Sequence, residues 1–336
     1  MLNSKEIKFL ALVAPFGVLS AAAQSPADRQ SALEGVATRM TAPVTLPPRT
    51  NEEGGTSDGT GSTESSDAGL QRVVTKKERA VEFDAGTTFS YLYRSNPLST
   101  NGVISKSIKS GVADIGTFVS ASFGNHELLN GVFTPRIGAG ISEVSLTNRE
   151  LNFIDYRTQR VFFQGDLKYS NGWSVSPALE YSSITSSKFD TEDYKEWFPN
   201  VSVAKIWGID DKSLLRAALS TGHRFSEVDS LGGSVPGVTA NRLDNWSNSV
   251  SLTYYRDLFF GITGQVYGEL ANRSYYNGQN RNRNDLSKTI GSSLGYSWKI
   301  LRFSLFWTYT DRESALQINE YRNLDAGASV SASFRF

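Results

Sequence analysis

The C-terminal segment constrains this chain more than any other. Leu324, Ala326, Ala328, Val330, Ala332, Phe334 and Phe336 occupy alternate positions, with Asn323, Asp325, Gly327, Ser329, Ser331, Ser333 and Arg335 between them. Side chains of an extended strand point alternately to opposite faces, so this segment presents one apolar face and one polar face along its whole length. The same division opens the patterned region, where Val81, Phe83, Ala85, Thr87, Phe89, Tyr91 and Tyr93 oppose Glu82, Asp84, Gly86, Thr88 and Ser90. Period two between these ends predicts strands near 112–123, 132–144, 160–170, 173–182, 197–207, 214–223, 246–255, 258–271, 286–298 and 301–310. With the two outer segments that makes about twelve, each close to the 9–11 residues a tilted membrane strand requires.

Composition matters because such a pattern hides its apolar face in an average. Mean hydropathy is −0.31 and 39% of residues are hydrophobic, which looks soluble although every strand has a lipid-ready side. No window supplies the roughly 18 consecutive apolar residues of a membrane helix. Lys+Arg 34 against Asp+Glu 34, with no long basic run, excludes the electrostatic footprint of a nucleic-acid-binding domain. Cys 0 removes disulfides and thiolate-held metals, and His 2 with Met 2 leaves little for other ligation, so neither cofactor nor metal is expected.

The connections separate a soluble sandwich from a membrane barrel. Long segments at 94–111, 145–159, 183–196, 224–245, 272–285 and 311–322 alternate with a moderate one at 124–131 and short ones at Asn171-Gly172, 208–213, Arg256-Asp257 and Lys299-Ile300. Long loops at one end and tight turns at the other are the layout of an outer-membrane barrel, with the turns periplasmic. Asn171-Gly172 carries the sequence of a two-residue type I′ turn. Tryptophan adds an independent sign. Trp173, Trp207 and Trp298 fall at turn-side strand ends, Trp197, Trp246 and Trp307 at loop-side ends, and all six share the parity of the apolar face. That is an aromatic girdle at each interface, joined by Tyr91, Tyr93, Tyr181 and Tyr309 on one side and Phe123, Tyr169, Tyr254, Tyr296, Phe334 and Phe336 on the other.

Ahead of the strands, Lys5 and Lys8 precede the apolar stretch 9–19, which ends in Ser20-Ala21-Ala22-Ala23. A positive flank, an apolar run too short to span and small residues at its end make residues 1–23 a secretory signal peptide. Residues 24–79 are Pro-rich and then Ser/Gly/Thr-rich, with too few apolar groups to offset ordering entropy, and are expected to be disordered apart from a short basic helix over 68–79.

The signal peptide, the even strand count and the ending Val330-Ser331-Ala332-Ser333-Phe334-Arg335-Phe336 resemble Gram-negative outer-membrane β-barrel proteins of the porin-like kind. The resemblance covers about residues 80–336 and implies a twelve-stranded antiparallel up-and-down barrel in a bilayer with lipopolysaccharide. It also implies that Phe334 and Phe336 form the signal read by the barrel-assembly machinery.

Twelve strands spaced about 4.8 Å and tilted about 40° give a backbone diameter of roughly 24 Å, which inward side chains narrow to a small-solute channel or close. Parity turns Glu82, Asp84, Asp114, Arg136, Asp166, Lys168, Glu180, Arg216, Glu269, Arg302 and Arg335 inward. Arg136, Gln164, Asp166, Lys168, Glu180, Arg216, Gln265, Glu269 and Arg302 are the pore-lining candidates. Charges in separate stripes would make a transverse field, and charges in pairs would make a plug of salt bridges. The inward aromatics Phe118, Phe162, Tyr255, Tyr267 and Phe306 either stack on solutes or fill space. An outer-membrane lipid hydrolase would need a nucleophile beside His223, but Ser226 has the opposite parity and Thr221 lacks an oriented base, so no catalytic residue is assigned. A passive channel is the leading reading. The alternatives are an autotransporter-like translocator, with 68–79 threading the barrel, and a structural or adhesive barrel with a filled lumen.

Overall fold

A computed structural model describes residues 81–97, 109–149, 151, 155–187, 192–228 and 240–336. The expected signal peptide, the 24–79 segment and its 68–79 helix lie outside the described residues. Twelve long strands form the wall: β1 Glu82–Arg94, β2 Ser110–Ser122, β4 Gly131–Leu146, β5 Tyr156–Lys168, β6 Trp173–Ser186, β7 Glu192–Asp210, β8 Ser213–Val228, β9 Asn245–Asp257, β10 Ile262–Tyr275, β11 Asn284–Trp298, β12 Leu301–Ser314 and β13 Tyr321–Arg335. The short β3, His126–Leu128, hairpins onto the start of β4. Each long strand pairs antiparallel with its sequence neighbours, β2 pairs with β4 past the hairpin, and β1 pairs with β13. The sheet is thus a closed barrel with no free edge, the arrangement that satisfies every strand's backbone inside lipid.

Closure runs to the last residue. Phe83 N–H donates to the Phe336 carbonyl at 3.0 Å and Phe336 N–H donates back at 3.1 Å. The two rings stack with centroids 5.9 Å apart. Asp84 stands opposite Arg335 in the register, and Arg94 opposite Asp325.

Period two survives in three dimensions. Outward positions carry Phe89, Ile115, Val119, Ile141, Phe163, Leu219, Val250, Leu270, Leu305 and Val330, all exposed. An exposed apolar surface that continues around a closed barrel is the belt of a membrane-spanning barrel. All six tryptophans face outward at its edges, each about half exposed.

The wall differs from the sequence expectation in three places. Strands run 13 to 19 residues, longer than the bilayer needs, because they continue past the belt on the loop side. There the outward positions become charged and pair across strands: Arg157 with Glu143 at 3.0 Å, Lys195 with Glu227 at 3.2 Å, Arg322 with Asp311 at 3.4 Å, and Lys288 with Glu313. Secondly, Asn171-Gly172 does not form a two-residue type I′ turn, which needs positive φ at both positions. Gly172 alone has it (φ 84), Gly172 N–H donates to Tyr169 O, and Tyr169 N–H donates to Trp173 O. This is a three-residue loop closed by a left-handed glycine. Thirdly, β10 starts at Ile262 rather than 258, because Phe260 (φ 53) and Gly261 (φ 73) reverse the chain. Phe260, 88% exposed, sits at that tip.

Candidate functional site: the lumen

The inner wall is built mostly from small residues. Ser90, Ser120, Ser142, Ser182, Ser293, Ser304 and Ser329 are buried inward positions, with inward glycines among them. The glycines have a specific role. A Cβ on Gly86 would lie 2.6 Å from the Phe118 ring, on Gly138 2.5 Å from Phe162, on Gly222 2.6 Å from Phe198, and on Gly291 2.8 Å from Tyr267. Each aromatic therefore lies flat over a glycine of the adjacent strand instead of projecting toward the axis. The guanidinium of Arg302 lies over Gly295 in the same way. Of the two roles open to the inward aromatics, wall covering is the one seen for Phe118, Phe162 and Tyr267.

The charges pair. Arg94 holds Asp325 through two bonds of 2.8 Å, and Arg224 Nη1 donates to Glu196 Oε1 at 2.8 Å while its guanidinium stacks 3.5 Å from the centre of Phe198. Arg160 pairs with Glu180, which also accepts from Asn200 Nδ2 at 3.3 Å. At the turn side Arg335 reaches Asp84 at 3.3 Å and Glu82 at 3.6 Å, and Arg136 approaches Asp84 at 4.0 Å. Most of these pairs join neighbouring strands and Arg136 reaches Asp84 past β2, so these charges form local couples along the wall.

Each pore-lining candidate faces inward. Arg136, Asp166 and Lys168 line a turn-side vestibule of about 850 Å³ together with Glu82, Thr134 and Arg335. Gln164 Nε2 and Ser176 Oγ both donate to Asp166 Oδ1, at 2.7 and 2.8 Å. Glu180 and Glu269 line a chamber higher in the lumen, of about 40 Å³, with Arg160, Glu196, Arg224 and Arg273. Gln265 stands on β10 between Tyr255 of β9 and Ser293 of β11. Arg216 on β8 and Arg302 on β12 line neither of these two cavities.

Above the chamber the chemistry changes. Leu92, Val112, Val144, Leu146, Leu151, Tyr156, Ile184, Tyr194, Val228, Leu243 and Tyr275 form one buried apolar cluster at the loop-side mouth. Beside it Asp285, 1% exposed, takes Arg283 in a two-bond pair (3.0 and 2.8 Å), Arg312, and the Ser314 hydroxyl at 2.5 Å. Asp285 lies beyond the outward Lys288 that marks the end of the belt. Burial pushes its carboxyl up, but Arg312 and Arg283 overcome this and hold it down at about 2. Arg283 also donates to Asn280 Oδ1 at 3.0 Å, and Asn280 Nδ2 donates to Arg242 O at 2.9 Å. Asn277 Nδ2 donates to Asp244 Oδ2 at 2.7 Å. The β10–β11 connection is thereby tied to the end of the neighbouring β8–β9 connection at the mouth.

Sequence reasoning missed this upper tier. Arg94, Arg160, Glu196, Arg224, Arg273, Asp285 and Arg312 fell in segments read as loop or at strand boundaries. Parity extended by a few residues would have turned each of them inward.

His223 faces outward in a cluster with Phe225, Trp246 and Tyr276, at centroid distances of 4.1, 4.8 and 5.1 Å. Ser226 faces inward, its hydroxyl donating to Asp244 at 3.0 Å. The barrel wall separates the two.

No family model and no curated protein matches this sequence. Among solved structures it is similar to the KdgM porin, at 11% identity and TM-score 0.39 over 74% of this chain and 99% of that one. It is similar to the β-domain of the Bordetella autotransporter BrkA, at 10% identity and TM-score 0.42 over 74% of this chain and 98% of that one. It is also similar to the COG4313 outer membrane channel from Pseudomonas putida F1, at 9% identity and TM-score 0.46 over 75% and 95% respectively. The chain shares with them a closed antiparallel β-barrel, and these structures include channels and an autotransporter domain alike.

Proposed function

We propose that this protein is a narrow channel of the bacterial outer membrane for small polar solutes, with its turns in the periplasm and its outer mouth closed in the state described. The observation that carries the reading is the bedding of Phe118, Phe162, Phe198 and Tyr267 over glycines. A barrel that serves only as an anchor gains by packing its interior with these rings. Here glycine on the adjacent strand is used instead, which lets the rings lie against the wall. The lipid bilayer, lipopolysaccharide at the loop-side charged tier and the assembly machinery at Phe336 are the partners this reading calls for.

The test is planar-bilayer recording of the refolded protein, with heat-modifiable gel mobility as the check of folding. Stepwise conductance that increases when Arg283→Ala and Asn280→Ala release the mouth is the expected result. A folded barrel that stays silent in both forms sinks the reading and leaves the anchoring alternative.

A further inference from the structure

We propose that the β9–β10 turn is a lipid-binding foot: Leu258, Phe259 and Phe260 are set in the turn-side leaflet of the bilayer and not in the periplasm, with Arg256 on a phospholipid phosphate. Such a foot requires a barrel in a membrane but not one that conducts.

A turn in water is ordinarily polar, as Asp210, Asp211 and Lys212 are at the β7–β8 turn. The β9–β10 turn is apolar. Phe259 is 65% exposed and Phe260 88%, and their rings meet edge to face at a centroid distance of 5.5 Å. Two adjoining rings left in water are unfavourable, so a partner of apolar chemistry is stabilised there.

The lean of the turn identifies that partner. Leu258 N–H donates to Ile262 O at 2.8 Å and Ile262 N–H to Phe259 O at 3.0 Å, closing a loop in which Phe260 and Gly261 take positive φ. Gly264 shares the outward parity of Val266 and Leu270 and stands opposite Leu294 of β11. A Cβ on Gly264 would touch the Leu258 side chain at 3.4 Å and Leu294 at 3.7 Å. Leu258 therefore lies on the outer surface of the barrel, against the apolar belt. A Cβ on Gly261 would come 3.9 Å from the ring of Tyr296, an outward girdle residue. The loop folds outward over the girdle and not across the entrance to the lumen, so its rings continue the surface that lipid covers.

Arg256 supplies the polar half. It shares the outward parity of Val250 and Leu252, is exposed, and stands opposite Gly264. Its Nη1 donates to the Tyr254 hydroxyl at 3.3 Å, and among the described residues no carboxylate lies within ion-pair distance of it. An exposed guanidinium and a tyrosine at the edge of an apolar surface match the phosphate level of a leaflet, where aromatic rings also settle.

The chain has no cysteine, so one introduced thiol reports on one place. Phe260→Cys and Asp211→Cys proteins are placed one barrel per nanodisc of phosphatidylethanolamine and phosphatidylglycerol, which leaves both faces open, and treated with polyethylene-glycol maleimide. The reagent consumes thiolate, which the bilayer disfavours, so the thiol at 260 is expected to react at least about tenfold more slowly than the one at 211. The two are expected to react alike once unfolded in urea. Equal rates in nanodiscs overturn the foot, whether the tip then serves a second copy, a protein partner or nothing. If Phe260→Cys fails the heat-modifiability check, Phe259→Cys is read by the same criterion. Adding Arg256→Gln is expected to speed the reaction at 260, and an unchanged rate removes Arg256 from the site.

Discussion

At the scale of single residues, the lumen depends on pairs of unequal size. Gly138→Ala would put a Cβ 2.5 Å from the Phe162 ring and force the ring off the wall. The expected outcome is a loss of about 1–3 kcal/mol in stability, typical of overpacking, together with a smaller unit conductance. Urea unfolding in detergent and bilayer recording measure the two. Asp285 tests the mouth. Asp285→Asn leaves Arg283 and Arg312 buried without their carboxylate, so a loss of about 3–5 kcal/mol is expected. Its pH dependence has a fixed sign. The folded carboxyl is depressed to about 2, below the unfolded value of about 3.9, so its contribution is complete above pH 4 and disappears as pH falls through about 2. Protection of the 276–283 amides, corrected for the intrinsic pH dependence of exchange, is therefore expected to be unchanged from pH 7 to 4. Earlier release would mean that another group sets the mouth.

Elements were legible where one physical rule governed them. Between the girdles, lipid on one side and lumen on the other enforce period two, and strand, parity and tryptophan placement follow from the sequence. Beyond the girdles water lies outside as well, so Glu143, Arg157, Lys195 and Glu227 replace the apolar residues. The alternation of hydropathy vanishes although the strands continue. That is why the upper tier of ion pairs was read as loop. Which acid meets which arginine in the lumen was hidden for a different reason: it depends on the register across strands, and a single strand's pattern carries no azimuth. The last strand carries its own prediction. Phe336→Ala removes the ring stacked on Phe83 but keeps the backbone exchange between the two residues. Refolding in detergent is expected to proceed, whereas insertion into the outer membrane of cells falls, read by immunoblot of membrane fractions. Equal membrane levels of parent and variant would argue against a terminal recognition signal.

At the scale of the whole molecule, the barrel is wet at one end and apolar at the other. The vestibule lies at the turn side, and the buried cluster around Val144 and Tyr194 lies at the loop side. On the channel reading proposed above, a solute entering from the turns meets basic and acidic groups first and the apolar mouth last, so the mouth is expected to control flux and the lower wall selection. The seam between Glu82–Arg94 and Tyr321–Arg335 joins partners 231 residues apart at Arg94 and Asp325. Every pairing from β1–β2 to β11–β12 can form before β13 is available, and closing the ring between β1 and β13 waits for the final strand. Until then the nascent sheet has two raw edges, so the protein is expected to spend its transit to the membrane as cargo for a holding chaperone, and its schedule of assembly is set by its end.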